Sequence, residues 1–132
     1  MRPWMLSPLA GVALALLLAS QAAAGPERFR GTSWTWSGVD TGSGALVGVT
    51  LTIDDDLVQT WVQELRLSDG SRVTTEIPLG LYIDVFRLDS PGVTGGCAFR
   101  PSSKAFRCSD WSTRVGEVVV RQEAFALTEA EE

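Results

Sequence analysis

The chain has 132 residues, 45% of them hydrophobic and 20% charged, with 11 Lys+Arg, 16 Asp+Glu and no His. That is the mixture of a single globular domain and not of a disordered chain. Without His there is no His-based triad, no His metal ligand and no His pH switch. Without Asn there is no N-glycosylation site. A formal charge of −5 argues against a nucleic-acid surface.

The chain opens on the pattern of a secretory leader. Arg2 supplies a thin positive start, Leu9 to Ala19 is an unbroken apolar run, and Ala22-Ala23-Ala24 fits small-residue cleavage. The run is too short for a spanning helix, which needs about 20 apolar residues. Residues 1–24 are therefore expected to be removed, leaving an exported protein, periplasmic or secreted. One β domain is expected over residues 25–127, followed by a short acidic tail over 128–132. No later stretch is apolar enough to span a membrane.

The remaining chain alternates like a β protein. Eight short strands are expected over 30–37, 45–53, 58–67, 72–77, 81–88, 95–100, 105–111 and 116–126. In the second, Val47, Val49, Leu51 and Ile53 recur at every second residue, the mark of a half-buried strand. Asp54-Asp55-Asp56 ends it. The spacing of three adjacent carboxylates reads as a solvated turn, because adjacent strand-end residues point apart and no Ca²⁺-loop pattern is present. Segment 57–67 also fits helical spacing, but the Asp69-Gly70 turn that follows favours a strand. A three-residue loop with Gly70 left-handed pairs Leu67 with Ser71, Leu65 with Val73, Gln63 with Thr75 and Trp61 with Ile77. This register groups the apolar residues and turns Trp61 inward, with Gln59 and Gln63 on the same face. Leu81, Ile83 and Val85 alternate with Tyr82, Asp84 and Phe86 and read as a further strand. Local hairpins without a long helix predict an all-β fold, a small antiparallel up-and-down barrel or a β-sandwich.

Cys97 and Cys108 are the only cysteines. A four-residue loop at 101–104 pairs Arg100 with Ala105, Phe99 with Phe106 and Cys97 with Cys108. The opposed sulfurs then suit a structural disulfide in an oxidising compartment. A redox pair would instead read Cys-x-x-Cys.

The expected function is non-enzymatic binding. Trp34 and Trp36 share a strand face, and with Trp61 and Trp111 they are the candidate aromatic walls for a small apolar or amphipathic ligand at a barrel end. The alternative is a protein-interaction module, an envelope component or inhibitor of a secreted enzyme, that uses the disulfide-stapled loop 100–104. No cofactor or metal is implied. Asp84, flanked by Tyr82 and Phe86, is a candidate acid if that face is apolar and a solvated carboxylate if it faces water, and no second carboxylate is placed opposite it. Gly31-Thr32-Ser33-Trp34 is similar to the Gly-x-Trp of the first lipocalin strand, with one extra residue. Asp110-Trp111-Ser112-Thr113-Arg114-Val115-Gly116 is similar to the junction before the last avidin strand, which implies Trp111 at a barrel mouth. Avidin-like biotin sites also use Asn and an early-strand Tyr. This chain has no Asn, and its one Tyr is Tyr82, so biotin is not implied.

Overall fold

The computed structural model describes residues 26–131, so the expected leader lies outside the described residues. Eight strands follow in order: β1 Thr32–Asp40, β2 Ala45–Ile53, β3 Val58–Arg66, β4 Arg72–Leu81, β5 Val85–Ser90, β6 Val93–Arg100, β7 Ala105–Val115 and β8 Val118–Glu129. They form one antiparallel sheet in the order β4-β3-β2-β1-β8-β7-β6-β5. The first and last strands are joined, so the sheet curls into a nearly closed up-and-down barrel and not a sandwich.

The register explains the core. Trp34, Leu51, Trp61 and Ile77 stand in one row across β1–β4. The next row is Trp36, Val49, Gln63 and Thr75, followed by Gly38, Val47, Leu65 and Val73. Phe86, Cys97, Cys108 and Phe125 make a row across β5–β8. Because side chains alternate along a strand, each row points to one side, and that side is the barrel interior. Segment 58–66 is a strand, and Trp61 is fully buried. The Leu67–Ser71 hairpin and the Cys97–Cys108 hairpin have the expected registers. The cysteines are joined in a disulfide that faces the core.

Several elements differ from expectation: β4 runs on to Leu81, past 77, and the strand expected over 81–88 is broken, with β5 starting only at Val85. Leu81, Ile83 and Val85 are not one buried strand face; they are 71%, 49% and 65% exposed. Chain direction changes before them, at a register shift in the β3–β4 ladder and at Gly80, whose φ of 86° suits glycine. The Tyr82 amide then bonds the Leu57 carbonyl at 2.7 Å. The corner turns the rings of Tyr82 and Phe86 toward the core, and aromatic burial outweighs that of the three aliphatic residues. Next, β8 runs to Glu129, beyond 126, because its end closes the barrel by pairing Thr35 with Thr128 and Trp34 with Glu129. Finally, β7 extends to Val115, past 111, through an irregularity. Asp110 has φ 55°, and the β6–β7 register shifts between Thr94 and Gly96. A side chain on Gly95 would bring its Cβ within 3.1 Å of the Trp111 Cα. This bulge brings Trp111 inward only three residues after Cys108.

The sheet is weakest between β4 and β5, which share no ladder. There the buried Gln59 amide substitutes for strand pairing. Its Oε1 accepts the Ile83 amide at 3.0 Å and its Nε2 donates to the Ile83 carbonyl at 3.3 Å. A buried amide used at both ends avoids the cost of an orphaned polar group.

Candidate functional site

The two ends of the barrel differ in how they are closed. At the end where β1 begins, the turn at 26–31 folds across the opening. Phe29 is buried there and stacks on Tyr82 at 4.5 Å between centroids, with Phe99 edge-on at 4.9 Å. Trp34 and Phe106 complete the plug, packed edge-to-face at 5.1 Å. The Trp34 indole donates to Thr32 Oγ1 at 2.9 Å, and the Thr32 hydroxyl donates to the Phe29 carbonyl at 2.6 Å. Arg28 lies over the rings of Phe29 and Phe99, a cation–π lid. Arg30 pairs with Glu27 and with the Asp55 carbonyl. The Arg30 hydrogen bond holds the Glu27 carboxyl below its ordinary value.

At the other end, among the described residues, only the turns 41–44, 67–71, 91–92 and 116–117 stand at the rim. Leu67, Val73 and Val115 are half-buried against the core at this end, and Trp36 lies one row below Val73. The Trp36 ring leans on Phe125, with centroids 4.4 Å apart, and crosses Gly38. A Cβ at Gly38 would sit 2.4 Å from the indole, so glycine makes room for this ring.

Beneath the rim is a buried polar cluster. Gln63 Oε1 accepts the indole N–H of Trp61 at 2.9 Å and that of Trp111 at 3.2 Å. Gln63 Nε2 donates to Thr113 Oγ1 at 2.8 Å. Gln63 is fully buried, and its second amide hydrogen has no protein partner among the described residues. It is a spare donor in an aromatic setting, where an unmade hydrogen bond is expensive.

The four candidate tryptophans therefore do not form one wall. Trp34 belongs to the plug. Trp61 and Trp111 are buried in the barrel centre, tied to Gln63, and Trp111 lies below the mouth and not at it. Trp36 is the half-buried one, toward the open end. The hydrogen-bond network of Gln63 and the Phe29 plug are not legible in the sequence alone. Inward parity signalled Gln63, while the position of Phe29 before the first strand carried no periodic signal.

Three further carboxylates are engaged locally. Asp54 Oδ1 accepts the amides of Asp56 and Val58 at 2.8 and 2.9 Å, which makes the acidic run a turn. Asp84 is exposed and accepts the Tyr82 hydroxyl at 2.5 Å. Burial, and then this bond and the charge on Asp84, push the Tyr82 phenol well above its ordinary value. At the open end, burial opposes ionisation of Asp40. Hydrogen bonds from Ser43, the Arg121 amide and the turn amides outweigh it and hold Asp40 below its ordinary value.

Compared with protein-family models, curated proteins and solved structures, the chain matches none of them. Fold and site define a class on their own terms: a disulfide-bonded, nearly closed eight-stranded β-barrel with an aromatic core, one end plugged by residues 26–31 and the other rimmed by hairpin turns.

Proposed function

We propose that this protein is an exported, non-enzymatic binding module that takes a small apolar or amphipathic ligand at the open end of the barrel. The carrying observation is the spare amide hydrogen of buried Gln63, set below an apolar rim. Small-molecule sites pair apolar walls with a few placed polar groups, and small barrels hold a single small ligand. Trp36 is the wall nearest the rim, half-buried where Trp34, Trp61 and Trp111 are buried. Trp61 and Trp111 act from below by aiming Gln63. The barrel centre is filled by side chains, so the ligand inserts one end and is not enclosed. Native mass spectrometry of the protein, purified gently from an oxidising compartment, tests this reading. Bound mass that denaturation releases, and that Trp36→Ala abolishes while Trp34→Phe retains, supports it. A bare protein from every source compartment refutes it.

A second reading has its own support. Residues 101–104 are exposed at the tip of the disulfide-bonded hairpin. A stapled loop loses little entropy on docking, which suits contact with a protein partner. Pro101→Ala or Lys104→Glu would then abolish capture of that partner with stability unchanged.

A further inference from the structure

We propose that the outer face of β5–β6–β7 is a second binding site, for a phosphate or sulfate ester group gripped by Arg87, Arg100 and Arg107. The sequence signal is local. Residues 90–109 contain no Asp or Glu in a chain of net charge −5, yet they carry Arg100, Lys104 and Arg107. The structure turns that stretch into a hollow of ≈ 720 Å³ on the outside of the barrel. Its floor is small: Gly96 lies between Arg87 and Ser109 in the ladder, and Ala98 lies between Val85 and Arg107. Long cationic side chains on the two flanking strands therefore rise beside a shallow centre. All three arginines are exposed. Among the described residues none of these three arginines forms an ion pair.

The chemistry follows from these placements. Guanidinium groups present paired N–H donors that match the oxygens of phosphate or sulfate bidentately. Asp89 and Asp110 also line the hollow. Asp89 shares the outward face of β5 with Arg87, so the two carboxylates favour one compact anion over a long polyanion. A concave floor likewise suits a discrete ester better than a flat membrane surface. The disulfide braces the site from below. Cys97 and Cys108 point into the core from the strands that carry Arg100 and Arg107, which fixes the spacing before binding. This site lies on the outer face, apart from the mouth, and does not depend on the mouth binding anything.

Isothermal titration of the disulfide-bonded protein at low salt tests the proposal, with inorganic phosphate and a sulfated disaccharide as separate probes. Saturable binding of either supports the site, and the tighter probe names the source. Arg87→Gln and Arg107→Gln are each expected to weaken binding about tenfold, as loss of a charge-assisted hydrogen bond implies. Arg114→Gln, outside the hollow, is expected to leave it unchanged. Failure of both probes to saturate overturns the proposal. So does an equal loss in Arg114→Gln, which would mean that net charge alone is read. Binding to phosphatidylglycerol vesicles without binding to phosphate overturns it in favour of a membrane surface.

Discussion

Replacing Gln63 by Leu removes the acceptor of two buried indole N–H groups and the donor to Thr113. Leu nearly matches Gln in volume, so no large cavity forms. The cost is polar: each buried donor left unpaired is worth about 1–3 kcal/mol. Two such donors, offset in part by the better burial of Leu, give a net loss of about 3 kcal/mol. That is a large part of a total stability of about 5–15 kcal/mol. In urea it lowers the midpoint by about 1.5 M for a slope near 2 kcal/mol/M. Equilibrium unfolding followed by far-ultraviolet circular dichroism reads this directly. Trp61→Phe is the internal control. It removes one donor and leaves Gln63 Oε1 bonded to Trp111, so its polar cost is about 1 kcal/mol. The double variant must be non-additive, because Phe at 61 relieves one of the orphans that Leu at 63 creates. A Gln63→Leu protein within about 0.5 kcal/mol of the parent, or strict additivity in the cycle, refutes the network.

Other outcomes follow from single features. Reducing Cys97–Cys108, separated by 11 in sequence, releases a constraint worth about 3 kcal/mol in the chain-entropy model, a fall in Tm of roughly 15 °C; an unchanged melting curve with reductant contradicts it. Phe29→Ala removes the centre of the plug and is expected to cost about 3–5 kcal/mol in thermal or urea unfolding. Gly38→Ala drives a methyl group into the Trp36 ring, so Trp emission is expected to shift to the red as the ring moves toward water; an unshifted spectrum counts against the ring position. Tyr82 sits above its ordinary value of 10.0. Its folded value is raised, so its contribution to stability is full below the unfolded value and falls as pH climbs above it; ultraviolet titration should show the phenol ionising only with alkaline unfolding. Asp69, lowered from 3.8 mainly by the Ser71 hydroxyl, works in the opposite direction. It helps the hairpin above the unfolded value and is lost as pH falls through the lower folded one, so Ser71→Ala should raise the Asp69 value measured by NMR.

Much of the barrel was legible because its signals are local. The alternation of Val47, Val49, Leu51 and Ile53 is a direct image of one buried sheet face. Loop chemistry fixed two registers: Gly70, with φ 91°, set one hairpin, and the opposed cysteines set the other. The failures were non-local. Leu81, Ile83 and Val85 alternate as well as any strand, but the corner is governed by Gln59 and Leu57, more than 20 residues earlier in the chain. The bulge at Asp110 depends on Gly95 in the neighbouring strand, so neither residue announces it alone. The site was half legible. Parity turned Trp61 and Gln63 inward, yet the division of the four tryptophans between plug, centre and mouth depends on barrel closure by β1 and β8. Pairwise spacing along one chain cannot carry that information.

The proposed binding places a ligand beside Trp36, at the end rimmed by the hairpin turns. Fluorine NMR of 5-fluorotryptophan-labelled protein, assigned with single Trp→Phe variants and titrated with decanol as an amphipathic probe, tests it most directly. A large saturable shift is expected for Trp36, smaller shifts for Trp61 and Trp111 through Gln63, and none for Trp34 behind the plug. A shift led by Trp34, or no saturable shift at Trp36, would contradict it.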